Sequence, residues 1–233
     1  METIYDRTEK LLGKKTMELL KERKVLIFGI GGVGGYVVEA LARVGVGTIG
    51  IVDFDRVDIT NINRQIIALH STIGKKKIQV MEERIHDINP FIRVETFEER
   101  LSEGTIENYH LKSWDYIVDA IDDVAGKIIL IKKAKELEVP IICSMGTGFH
   151  FKPECLQITD INKTHTCPLA KLIRKELRKI GINQLKVLFS SEKPIKEQCS
   201  EEKSYKTASI AFVPGVAGLM IAAEVIKDLK NDK

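Results

Sequence analysis

The 233-residue sequence has no C-x-x-C pair, little aromatic content, almost no imbalance of charge and no long apolar run. Its four cysteines, Cys143, Cys155, Cys167 and Cys199, fit neither a zinc ribbon nor a secreted disulfide framework. Because the N-terminus shows no signal-like pattern, a cytoplasmic protein is expected. The longest uncharged run, residues 207–223, holds 17 residues including Pro214, Gly215 and Gly218. A membrane span needs roughly 20 apolar residues, so a buried strand followed by a buried helix over 214–229 is expected instead. A net charge of +3 excludes a polyelectrolyte tail. The five histidines have no metal-ligand spacing.

What the sequence does contain is a repeated alternation. A β-branched and apolar run at 25–28 ends at Gly29, and apolar periodicity resumes over 33–44, which reads as strand, tight turn and helix. An N-terminal polar helix is expected at 14–23. Further strands are expected at 48–52, 94–97, 116–119, 140–144, 156–159 and 184–189. Helices are expected at 75–88, 124–137 and 168–180, with a weak one near 102–109. Strands alternating with helices require crossover connections. The expected fold class is therefore α/β, a Rossmann-like doubly wound and mainly parallel sheet, with a C-terminal extension of the same domain.

Gly29-Ile30-Gly31-Gly32-Val33-Gly34 lies between an expected strand and an expected helix, the context a phosphate-cradling G-x-G-x-x-G turn requires. Asp53 follows Gly34 by 19 residues, at the end of the second strand, where a carboxylate accepts from ribose hydroxyls. These two features alone would suit a nicotinamide oxidoreductase. The residues beyond argue otherwise, because a triphosphate needs fixed cations and Mg²⁺. Arg64, in Thr60-Asn61-Ile62-Asn63-Arg64-Gln65, and Lys77 are candidate cations, and Asp122, just past the fourth strand, is the candidate metal ligand. Each also has a structural reading: the cations as surface charges, Asn61 and Asn63 as turn residues, Asp122 as a helix cap.

The order Gly-x-Gly-Gly-x-Gly, Val-Asp-Phe-Asp, Thr-Asn-x-Asn-Arg-Gln, Gly-x-x-Lys, Ile-Asn-Pro and Asp-x-x-Asp resembles the adenylating superfamily of sulfur-carrier activators and ubiquitin-activating enzymes. The resemblance implies an enzyme that binds MgATP and directs a carboxylate onto its α-phosphate, giving an acyl-adenylate and pyrophosphate. It implies that Gly31, Gly32 and Gly34 cradle phosphate, that Asp53 holds ribose, and that Asn61, Arg64 and Lys77 grip the triphosphate. Asp122 would bind Mg²⁺, with Asp55, Asn63 and Asp123 in the same nucleotide-binding set. Arg7 would reach a neighbouring subunit's nucleotide in a homodimer. On this reading residues 1–148 form the nucleotide-binding half of one domain, and 149–233 the substrate-binding and oligomerisation half.

In the second half, residues 144–148 (Ser-Met-Gly-Thr-Gly), Asp160-x-x-Lys163-Thr164, Pro168-Leu169-Ala170 and residues 190–194 (Ser-Ser-Glu-Lys-Pro) are similar to the tRNA threonylcarbamoyladenosine dehydratase branch. That branch uses ATP to activate a threonyl carboxylate on a modified adenosine and cyclises it with loss of water. The sequence departs from it with Lys152 before Pro153 and Cys167 before Pro168, where the branch has Asp, and with Thr207, where some members have Cys. The alternative activity is adenylation of the C-terminal carboxylate of a small sulfur-carrier protein, disfavoured by the missing C-x-x-C pairs. A sulfur-transfer protein partner is left open.

Residues 160–206 hold 11 basic and 6 acidic side chains, more positive than the chain as a whole. On the expected helix there, Lys171, Arg174 and Arg178 recur on one face. Such a face is either solvated surface or RNA-binding surface, and the residues alone leave both open. The resemblance implies tRNA, with Lys152, Lys163, Lys171, Arg174 and Arg178 as substrate-binding candidates. Cys143 and Cys155 are expected in the core, and Cys199 is a lesser candidate for a nucleophile.

Overall fold

The computed structural model describes residues 3–195 and 207–231. Two short helices, α1 (Asp6–Leu12) and α2 (Lys14–Glu22), lead into β1 (Lys24–Phe28). Then follow α3 (Gly34–Val44), β2 (Thr48–Val52), α4 (Lys77–Ile88), β3 (Arg93–Phe97), β4 (Tyr116–Asp119), α5 (Val124–Glu136) and β5 (Ile141–Ser144). The chain continues through β6 (Leu156–Asp160), α6 (Pro168–Lys179), β7 (Lys186–Ser190) and α7 (Phe212–Asn231).

The seven strands form one sheet in the order β3-β2-β1-β4-β5-β7-β6. All neighbours are parallel except β6, which runs antiparallel to β7 at the edge. The expected α/β sheet is present, and its extension reaches into the C-terminal half. Side chains alternate across a strand: Val25 and Ile27 enter one apolar layer with α3, α4 and α7, while Leu26 and Phe28 enter the other with α5 and α6. Each fully buried Ile or Leu in these layers contributes about 1.5–3 kcal/mol relative to an exposed one.

Two expectations need correction. The strand expected ahead of the last helix does not form among the described residues: 207–210 carry no regular structure and α7 begins at Phe212. Apolar residues without alternation cannot distinguish a strand from the start of a buried helix. The weak helix near 102–109 is a 3₁₀ turn, Ile106–Tyr109. The small residues of α7 serve a close approach to α3: a β-carbon on Gly218 would lie 2.4 Å from the Val33 carbonyl oxygen. Helix α1 was not anticipated, because it is a polar helix with no buried residue. Among the described residues no helix is long and apolar enough to cross a membrane.

Candidate nucleotide site

In an open α/β sheet, ligands bind beyond the carboxyl ends of the strands where the strand order reverses. Here β1 lies between β2 and β4, and a cleft of about 510 Å³ opens beyond Phe28, Val52 and Ser144, the last residues of β1, β2 and β5. Gly31, Gly32, Asp53, Asp55, Asn61, Arg64, Lys77, Asp122 and Asp123 all line it. The topology thus gathers nine residues spread over more than ninety positions of sequence.

The glycine turn is shaped by close backbone approach. Gly29 has φ 87°, and a β-carbon there would lie 2.8 Å from the Ala120 carbonyl oxygen. A β-carbon on Gly34 would lie 1.8 Å from the Gly29 carbonyl oxygen. Gly34 therefore packs the turn onto α3 at the helix start and is not among the residues lining the cleft. Gly31 differs: the nearest atom to a β-carbon there would be Gln65 Nε2 at 3.8 Å, leaving its backbone open to the cleft.

Asp53 is buried, and its two oxygens are held in place by backbone amides: Ile30 N donates to Oδ2 at 2.7 Å and Asp55 N to Oδ1 at 2.8 Å. Burial raises its pKa above the ordinary carboxylate value, opposed in part by Lys77 and these amides. Lys77 opens α4, is buried, and donates to Asp55 Oδ2 at 2.8 Å, with Asp53 Oδ2 at 3.9 Å. Arg64 is only partly engaged: one terminal nitrogen donates to the Thr60 carbonyl and to Asn63 Oδ1, both at 2.9 Å.

The two acidic residues after β4 divide their duties. Asp123 caps α5, accepting from Gly126 N at 2.8 Å. Asp122 is exposed and makes no hydrogen bond or ion pair among the described residues. The capping alternative weighed for Asp122 thus belongs to its neighbour. Asn61 lines the cleft with its side-chain oxygen accepting from Asp58 N at 3.1 Å. Asn63 does not line it. Its amide donates to the Ser209 carbonyl at 3.1 Å and ties this turn to the segment before α7.

Several lining residues were not anticipated. Gln65 is buried, and its Oε1 has no hydrogen-bond partner among the described residues. Phe54, Glu99 and Arg100 form a lip, with the Arg100 guanidinium 5.8 Å from the Phe54 ring centroid. Thr207, Ser209 and Pro214 close the opposite side. Gln65 carried a sequence signal in its place beside Arg64, and Thr207 in its departure from the dehydratase branch. Phe54, Glu99, Arg100 and Ser209 come from loops and Pro214 from the first turn of α7.

Arg7, Lys152, Lys163, Lys171, Arg174 and Arg178 do not line the cleft. Arg7 is exposed on α1, and Lys152, Lys163, Lys171 and Arg178 are exposed. Arg174 is partly buried. One of its terminal nitrogens donates to the carbonyls of Ile161 and Thr164 and to Thr164 Oγ1, at 3.1, 3.0 and 2.6 Å. Through these bonds it holds the turn that follows β6. Cys143 is fully buried in β5 and its thiol is pushed well up by burial, and Cys155 is half-buried. Cys199 lies outside the described residues.

A parallel sheet with a glycine turn, two cations and an unpaired carboxylate at one strand-end cleft defines a nucleotide-binding α/β protein of the Rossmann type. The chain belongs to the ThiF family, whose model matches residues 5–233. A tRNA threonylcarbamoyladenosine dehydratase of Bacillus subtilis is 43% identical over 98% of this chain and 95% of its own length. The crystal structure of the Escherichia coli tRNA N6-threonylcarbamoyladenosine dehydratase TcdA with AMP has a TM-score of 0.89 and 31% identity, covering 98% of both chains. Its complex with ATP has a TM-score of 0.88 and 31% identity, over 97% of this chain and 93% of that one. A sulfur carrier protein adenylyltransferase of Thermus thermophilus is 34% identical over 56% of this chain and 48% of its own.

Proposed function

We propose that the protein is an ATP- and Mg²⁺-dependent tRNA threonylcarbamoyladenosine dehydratase, acting in the cytoplasm as a homodimer. The observation that carries the reading is the cleft itself: open glycine backbone, Arg64, Lys77 and an unpaired Asp122 gathered at the strand ends. That donor set suits a polyanion. Among the described residues no three His, Cys, Asp or Glu side chains form a metal cage. The unpaired carboxylate of Asp122 in the cleft fits Mg²⁺, which is commonly held by one or two carboxylates, phosphate oxygens and retained waters.

In this reading Gly31 and Gly32 admit phosphate close to the backbone, and Asp53 accepts from the ribose. Asn61, Arg64 and Lys77 hold the triphosphate, with Lys77 exchanging its Asp55 partner for phosphate oxygens, and Asp122 holds Mg²⁺. Bound ATP supplies the adenylyl group that activates the threonyl carboxylate. That activation releases pyrophosphate; the carbamoyl oxygen of the same substituent then attacks the carboxyl carbon and expels AMP, so the ring closes and the nucleoside has lost the elements of water. An attack within one substituent has a large effective molarity, so the protein has to adenylate, orient and exclude bulk water, and needs no cysteine.

Residues 149–233 supply substrate binding and oligomerisation. Lys152, Lys163, Lys171 and Arg178, all exposed, contact tRNA phosphates. Arg7 completes the site of the second subunit. Arg7, exposed on α1, is placed on the surface as that role requires.

The test is incubation with MgATP and tRNA bearing uncyclised threonylcarbamoyladenosine, followed by mild digestion and mass measurement of the nucleoside. ATP-dependent loss of one water is expected. An unchanged nucleoside with ATP bound would redirect the assignment to a sulfur-carrier protein, alone or with a sulfur-transfer partner.

A further inference from the structure

Lys127 has no exposure at all, and neither has its partner Asp119. Removing two charges from water is costly, and good geometry is required to offset it. Here Lys127 Nζ donates to Asp119 Oδ1 at 2.9 Å and to the Ser144 carbonyl at 2.8 Å. Asp119 ends β4 and Ser144 ends the adjacent strand β5. Asp119 Oδ1 also accepts from Ile121 N at 3.1 Å, fixing the first bend of the turn that presents Asp122 and Asp123. The neighbouring Cys143 thiol is pushed well up by burial and then by the Asp119 charge, so it stays neutral beside the pair.

The consequence is geometric. Residues 120–123 line one part of the cleft and residues 144–148 another, and a single ammonium is bonded to the root of each. We propose that Lys127 is a positioning residue: through Asp119 and Ser144 it locks the Asp122 turn against the 144–148 segment, and so sets where the carboxylate meets the nucleotide. The proposal rests on the ATP-dependent reading above. A pair present for stability alone would be replaceable by apolar groups of similar volume, because buried ion pairs are often no better than such substitutes. A positioning pair would not be.

The test uses Lys127→Met and the double variant Asp119→Asn/Lys127→Met, which leaves no stranded charge. The single variant is expected to lose thermal stability, and the double to regain most of it. In the double variant kcat for pyrophosphate release and water loss should fall by at least about tenfold, since a small misplacement of reacting groups is costly. The KM for ATP should stay within about twofold. Amide hydrogen exchange should quicken in both 120–123 and 144–148 while the 29–34 turn keeps its protection.

Recovery of kcat together with stability, or a rise in KM for ATP in step with the loss of kcat, would overturn the proposal. So would unchanged exchange in the two segments. If the unmutated protein does not dehydrate this tRNA, the substrate reading fails, and the exchange measurement still decides whether the strut exists.

Discussion

Arg64 and Arg174 are both partly buried arginines whose guanidinium groups are bonded to nearby backbone carbonyls, yet one lines the cleft and the other is enclosed in its own neighbourhood. Arg64 makes two bonds within its turn and still lines the cleft. Arg174 gives three bonds to the turn at 161–164 and does not line that space. The same contrast separates the two halves of the chain. In the first, the candidate nucleotide residues converge on the ends of parallel strands, so their chemistry is concentrated. In the second, the basic residues are distributed over loops and one face of α6, and several work as struts or solvated charge. A charge is therefore not assigned a role by its type but by whether the topology leaves it facing the cleft.

The sharpest way to break this comparison is at the glycine turn. Gly34→Ala should abolish ATP binding and lower the Tm strongly, because its β-carbon would fall 1.8 Å from the Gly29 carbonyl oxygen. Gly31→Ala, with nothing nearer than 3.8 Å, should fold normally and only weaken nucleotide binding. Calorimetry with ATP and a thermal melt on each variant check both. Equal melts for the two would mean the turn tolerates the crowding at Gly34.

Next in size is the cleft chemistry. Asp122→Ala or Arg64→Ala should cut pyrophosphate release by about 10²-fold or more, the scale of removing one charge-stabilising group, while tRNA binding survives. Parallel filter-binding and pyrophosphate assays test this, and equal loss of both in a folded variant would show that the two halves do not divide the work.

The C-terminal half is tested by salt. Lys171→Ala and Arg178→Ala should each weaken tRNA binding and reduce the slope of log affinity against log salt by about one. Arg174→Ala should leave that slope unchanged and instead destabilise the fold by about 1–3 kcal/mol, since it frees acceptors around a partly buried turn. A slope change at Arg174 would place it back among the RNA contacts.

The smallest expected effect lies away from both sites. Burial alone would raise the Glu39 pKa, but hydrogen bonds from Arg84 and Arg43 outweigh it and hold it below the ordinary 4.5. A lowered folded pKa gives stability that is present above the unfolded value and lost as pH falls through the folded one. Glu39→Gln should therefore lower the Tm near neutrality and flatten its decline on the acid side below 4.5. An unchanged acid limb in a series of melts would refute the assignment.

Much of the first half could be read from sequence because its signals are local. Alternating strands and helices, the glycine turn after β1 and Asp53 at the end of β2 are all set by short-range periodicity and backbone freedom. What periodicity could not supply was the fate of the uncharged run before α7, which begins a helix because α3 offers a face for its glycines. Nor could spacing tell which aspartate caps α5: both follow β4, and only the backbone path assigns the cap to Asp123 and frees Asp122. Lys127 had no signal at all, since a lysine in a mixed helix reads as surface until the end of β5 is brought beside it.

By itself, then, the sequence determined most of the order of elements, the doubly wound class and the residues that could bind phosphate, because each depends on neighbours within a few turns of chain. The tertiary structure decided which of those residues share a cleft, which charges are spent inside the protein and which are left to a ligand. That division is physical: backbone geometry is a local property, whereas the solvation and pairing of a side chain depend on whatever distant segment folds against it.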